Sequence, residues 1–335
     1  MTEPTLPMSP AQQGMYFDSQ LRQSADYHIA IELYTEHLSR SRLTQAEQPA
    51  LRASVTRNES GPVYMIAESV EAPVRHHDLT GAEENLDKIF HTARHTPFQL
   101  NTAPLFRVVA ARLPDGDRLL VVCHHLIADG QSVSILTDRI IDLARGTREI
   151  TASRTDQGLF TYQNGQLSRP SPETLARRES FWSENLPRHR GPQLDHWLLA
   201  SPHEDAAREF RLTVPRDTAE AVRETAQEAE VSEFTVYLAA FGALLAHYAG
   251  EDQVSFASPF MDRPHLEMEN SIGCFIRTLP VLIDVSPGLR VRDLLERTRS
   301  EVMGLWRNLD FPVARKLSGL SSAGLFDITF IHDAY

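Results

Sequence analysis

A run of five residues, Leu119 to Cys123, ends directly in His124-His125-Leu126-Ile127-Ala128-Asp129-Gly130, and this junction constrains the fold more than any other stretch of the chain. Pro114, Asp115 and Gly116 precede the run, so it reads as a strand buried on both faces and entered through a turn. Side chains alternate along a strand. Leu119, Val121, Cys123 and His125 therefore share one face, while Leu120, Val122 and His124 share the other. Only one of the two histidines can look into any given cavity. Asp129 and Gly130 turn the chain, and Val133, Leu136, Ile140 and Leu143 follow at helical spacing, with Gly146 as the expected stop. A histidine at the end of a buried strand stands on rigid scaffold and titrates near neutral pH, which suits a general base.

The 335 residues are enough for two ordinary domains, each with a real core. With 41% hydrophobic and 23% charged residues the chain is globular, and a formal charge of −12 argues against nucleic acid as a partner. The N-terminus is polar and carries no apolar leader. The longest apolar stretch, Val236 to Tyr248, is too short to cross a bilayer; between Ser232 as N-cap and Gly250 as stop it reads as a buried helix. We therefore expect a cytoplasmic protein with no membrane contact, in which Cys123 and Cys274 are buried, reduced thiols. No CxxC, HExxH or Gly-rich phosphate loop is present, and no metal site is expected.

Pro and Ser residues between Gly165 and Glu173 predict a break near residue 170, giving lobes 1–170 and 171–335. A second loose stretch, Pro187 to Asp205, is expected to wrap over the surface. Helices are predicted at Pro10–Gln23, Glu83–Thr96, Ser171–Leu186, Arg216–Glu230, Ser232–Ala249 and Arg292–Asn308. Strands are predicted at Tyr27–Tyr34, Gly61–Ala67, Phe106–Leu113, Arg118–His125, Asp252–Ser258, Phe275–Val285 and Phe326–His332. The pattern is α+β in two lobes.

HHxxxDG at 124–130 resembles the active-site motif of condensation domains of nonribosomal peptide synthetases and of the wider chloramphenicol acetyltransferase-like superfamily. Flanking segments fall in that family's order. Leu6 to Gln13 looks like its "SxAQ" opening, and Pro97 to Phe106 like "PFdL…PLxR". Phe181 to Leu186 is similar to "YWxxxL", Ile272 to Leu279 to "xGxFxNTL", and Leu325 to Phe330 to "PLFxxxF". There are departures: Glu47 to Arg52 stands where the family has "RHExLR", Pro49 interrupts what is normally a helix, only Thr161 to Gly165 matches "DYAxW", and Arg277 replaces an Asn.

The resemblance implies two chloramphenicol acetyltransferase-like lobes in a V-shaped pseudo-dimer. The second would be left incomplete at Tyr335, with a strand edge for a partner chain to cover. It implies amide formation between a carrier-bound acyl thioester and an amine acceptor, with substrates carried on phosphopantetheine of donor and acceptor carrier proteins and no cofactor bound by the chain. His125 would be catalytic, as base or positioning group, and His124 would hold backbone. Asp129 would be a buried carboxylate paired with Arg263 or, second, Arg52. Gly130 would let the pantetheine arm approach, and Ser132 and Arg277 are candidate tunnel or pantetheine contacts. Ser132 can equally cap a helix, Arg263 can be an ordinary surface residue, and His91/His95, despite a metal-like spacing, read as solvated surface, as does His76-His77. A stand-alone acyltransferase, an epimerization domain and an inactive carrier-binding scaffold remain alternatives. Heterocyclization is disfavoured, because those relatives carry aspartates in the motif.

Overall fold

The structure is a computed structural model, and the residues it describes are 5–35, 48–59, 61–81, 86–145, 159, 162, 171–189, 191–192, 194, 210–263, 266–309 and 327–332. The chain divides into two compact units. One comprises Met1–Arg169 with Asp262–Ile276, the other Pro170–Met261 with Arg277–Tyr335. The 262–276 segment thus corrects the two-lobe division read from the sequence, because its Met268, Ile272 and Phe275 are buried in the first unit's core.

In the first unit the strands are β1 (Thr5–Pro7), β2 (His28–Thr35), β3 (Ala53–Asn58), β4 (Gly61–Ile66), β5 (Val74–Asp78), β6 (Phe106–Leu113) and β7 (Gly116–His124). Its helices are α1 (Pro10–Arg22), α2 (Leu86–His95) and α3 (Gly130–Arg145). The main sheet has the order β2-β7-β6-β5, antiparallel except for the parallel β5–β6 pair, and β1-β4-β3 form a smaller antiparallel sheet. Alternation along β7 sorts its side chains as period 2 demands. Leu119, Val121 and Cys123 join a core with Tyr16 of α1 and Val133 and Ile140 of α3, while Leu120 and Val122 join a second cluster around Phe90 of α2. Ser9 opens α1 with a capping box: its hydroxyl accepts from the Gln12 amide, and Gln12 Oε1 accepts from Ser9 N.

The second unit contains α4 (Pro172–Asn185), α5 (Arg216–Glu228), α6 (Glu233–Ala249), β8 (Gln253–Met261), β9 (Ile276–Asp284) and α7 (Val291–Trp306). β8 pairs with β9. Ser232 caps α6, and Gly250 ends it in the left-handed region at φ 67°, where a side chain would cost energy. α6 approaches β9 so closely at Gly242 that an added Cβ would stand 2.5 Å from Ile283. Trp182 of α4 is fully buried, and its indole N–H donates to Asn308 O at 3.1 Å. No single helix among the described residues is long and apolar enough to cross a membrane.

Three expectations need correction. The strand read at Phe326–His332 holds, among its described residues, only a single bridge between Thr329 and Ala257. The stretch expected to wrap over the surface starts exposed at Pro187 and Arg188 but dips into the core at His189, which is buried and bonded through Nδ1 to Ser255 Oγ at 3.3 Å, with Glu301 at 3.8 Å from Nε2. Its 195–205 portion lies outside the described residues, as does Gly146. Strands β1, β3 and β5 escaped the sequence reading. β1 is three residues long, and β5 (Val-Arg-His-His-Asp) is an edge strand whose polar residues carry no apolar alternation.

Candidate active site

β7 delivers His124 as its last residue, and the chain then folds back on itself before α3. Each step of that turn is tied down. His125 N donates to Tyr27 O at 2.7 Å, Leu126 N to His124 Nδ1 at 3.1 Å, and Ile127 N to His124 O at 3.0 Å. The buried Tyr64 hydroxyl donates to Leu126 O at 2.7 Å. A backbone amide pointing at Nδ1 fixes the His124 tautomer: the proton sits on Nε2, 3.3 Å from Ser19 Oγ. Burial, with His28 and His125 nearby, pushes His124 down to about 3, so the ring is neutral and structural at ordinary pH.

Asp129 is completely buried and all of its bonds point into the protein. Oδ1 accepts from Ser132 N at 2.8 Å, Ser132 Oγ at 2.7 Å and Arg263 Nη2 at 2.9 Å, and Oδ2 accepts from Phe275 N at 2.9 Å. The first of these bonds makes Asp129 the N-cap of α3, the role the sequence offered to Ser132. Arg263 completes the cluster: Nη1 donates to Met268 O at 2.6 Å and Ser271 O at 2.7 Å, Nη2 also reaches Ser132 Oγ at 2.9 Å, and the guanidinium lies 4.3 Å over the Phe275 ring. A buried carboxylate is tolerable here only because a cation and three further donors surround it.

Two candidates fall away. Arg52 is not the partner of Asp129; its Nη1 donates to the carbonyls of Ala67 and Glu68 at the end of β4. Ser132 cannot touch an incoming arm, because its hydroxyl is fully buried, receives Gly273 N–H at 3.0 Å and has Gly273 O at 2.7 Å as a further partner. Arg277, half-buried on β9, belongs to the second unit. Gly130 is half-buried as the first residue of α3. His91 and His95 are exposed with rings 4.1 Å apart, and no cluster of metal-ligating side chains occurs among the described residues.

Of the two histidines of the motif, His125 is the one left half-exposed. Its Nδ1 lies 3.9 Å from the Cys274 sulfur, a weak contact at most. Asp129 is turned away from it, and no carboxylate among the described residues orients this imidazole in the manner of a hydrolase triad. Sequence reasoning missed the Gly273–Phe275 stretch as part of the site. Gly273 admits no Cβ, which would meet the Phe275 ring at 2.6 Å and Leu159 at 3.0 Å, and Tyr162 packs on that ring at 5.2 Å while donating to Asp262 Oδ2 at 2.6 Å. The glycine and aromatic of "xGxF" were the available signal.

The chain is similar to known proteins along almost its whole length. Chondramide synthase cmdD of Chondromyces crocatus is 26% identical over 94% of the chain, and tyrocidine synthase 3 of Brevibacillus parabrevis 28% over 97%. The chain spans only 8% and 5% of those two proteins. Among solved structures, the first condensation domain of the CDA synthetase superposes with a TM-score of 0.78 at 19% identity, covering 99% of this chain and 83% of that one. The epimerization domain from the third module of tyrocidine synthetase B gives 0.77 at 18%, covering 98% and 78%. These similarities carry a mixed α/β fold. The family model for the condensation domain matches residues 2–331, and the chain therefore belongs to the condensation-domain family.

Proposed function

We propose that this chain joins an acyl or peptidyl group, carried as a thioester on the phosphopantetheine of a donor carrier protein, to the amine of an acceptor on a second carrier. The observation that carries the reading is the contrast among the motif's side chains: His124 and Asp129 are sealed and fully bonded, while the His125 ring remains half-exposed with no strong partner among the described residues. In the reaction the amine nitrogen attacks the thioester carbonyl, the C–N bond forms, the C–S bond breaks and the carrier thiol leaves with a proton. His125 holds the amine by hydrogen bonding and takes its proton as the positive charge develops on nitrogen. Gly130 and Arg277 are the residues we assign to the approach of the substrate arms, and the two units correspond to the family's two chloramphenicol acetyltransferase-like lobes. No step calls for a metal or a bound cofactor. Cys123 and Cys274 are both buried and neither is in a disulfide, compatible with a reducing, cytoplasmic setting.

The test incubates the protein with an aminoacyl-loaded donor carrier and candidate acceptor carriers, and reads products by intact-protein mass spectrometry for wild type and His125→Ala. Chain growth lost in the variant supports condensation. Inversion at the α-carbon without growth would replace it by epimerization, and retained carrier binding without turnover by a scaffold.

A further inference from the structure

A separate feature of the first unit has no part in the chemistry above. A cavity of about 570 Å³ opens where the edge strand β5 starts beside β6, under α2, and it shares no lining residue with the His125 cluster. Arg75, Lys88 and Arg107 line it together with His77, and not one lining residue is a carboxylate. Among the described residues none of these three cations is in an ion pair, in a chain whose acidic residues outnumber its basic ones by 45 to 33. Lys88 is one of only two lysines in the sequence. Arg107 is half-buried and fixed in place: Nη1 donates to Ala93 O at 3.2 Å, and the guanidinium stacks 3.7 Å from the centre of the Phe98 ring. Burial, and then repulsion from Arg75, pull this guanidinium down to about 10. The Thr92 and Thr96 side chains add hydroxyl groups, and Ile89, Pro97 and Pro104 give one wall an apolar surface.

We infer that this cavity binds a small phosphorylated organic anion, its phosphates between Arg75, Lys88 and Arg107 and its organic part against the apolar wall. Three cations with no counter-charge in the cavity lining, one of them held by its own contacts, match two phosphate groups, and a planar guanidinium gives paired N–H donors to phosphate oxygens. The volume lies in the range that holds a nucleotide-sized ligand.

Isothermal titration with two probes, inorganic pyrophosphate and ADP, on wild-type protein, Arg75→Gln, Arg107→Gln and His125→Ala tests the inference. Saturable binding of ADP, weakened at least tenfold in Arg75→Gln and in Arg107→Gln but unchanged in His125→Ala, is the expected result. Pyrophosphate binding as tightly as ADP would assign recognition to phosphate alone and overturn the organic part of the proposal. No saturable binding of either probe at millimolar concentration, or binding indifferent to both arginine substitutions, would overturn it entirely. Arg75 is exposed, so its variant keeps the comparison valid if Arg107→Gln folds poorly. Because His125 lies outside the cavity, failure here leaves the condensation reading untouched, and loss of condensation in His125→Ala leaves this one untouched.

Discussion

Asp129 and His125 are four residues apart and do opposite work. The carboxylate accepts four hydrogen bonds in a fully buried site, two of them from residues more than 130 positions away. Asp129→Ala leaves the Arg263 guanidinium buried beside nothing that neutralises it, and should cost on the order of 3–5 kcal/mol in unfolding free energy by urea titration. Asp129→Asn, which keeps the shape but loses the charge, should cost less. His125→Ala removes a half-exposed ring whose side-chain contact is weak, so its melting temperature should stay close to that of the wild type while condensation slows about 10²–10⁴-fold. Equal thermal stability of the Asp129→Ala and His125→Ala proteins would contradict this division. The motif residues were legible because their types are unusual in an apolar strand–turn setting. The sequence ranked Arg263 ahead of Arg52 only through a resemblance of segments; the folded chain brings the Arg263 guanidinium within 2.9 Å of Asp129.

Elements were readable where periodicity and caps agree. β6 occupies Phe106–Leu113, the bounds predicted from the sequence, and α6 begins after Ser232 and stops at Gly250. Polar edge strands were not, because β5 owes its conformation to pairing with β6 and not to a pattern of its own. Close approach between elements is likewise invisible in a linear pattern. Gly242 looks like a helix-weakening residue, yet it is the point where α6 meets Ile283 of β9. Gly242→Ala would improve helix propensity and still destabilise, by about 1–3 kcal/mol, because the methyl group overlaps a β-branched side chain. Gly273→Ala should be destabilising for the same reason against Phe275. Urea midpoints of the two variants check both; a midpoint raised by Gly242→Ala would show that α6 has room to shift.

At the scale of the whole molecule, both units bury an imidazole. Burial pushes His124 down to about 3 in one unit and His189 down to about 4 in the other. A ring kept neutral in the fold but free to protonate in the unfolded chain contributes its full stability above the ordinary value of 6.5, and loses it progressively as pH falls towards 3–4. Thermal melting should therefore drop steadily on acidification below pH 6.5, and the His189→Gln protein should show a shallower dependence. A melting temperature flat from pH 7 to pH 4 would refute this. By itself the sequence determined the local alternation, the caps, the mixed α/β class and the identity of the motif, because these depend on neighbours a few residues apart. Only the tertiary structure decided that 262–276 packs into the first unit, that Arg263 answers Asp129, and that Ser132 is sealed, because each depends on contacts between residues more than a hundred positions apart, and a linear pattern does not encode that distance.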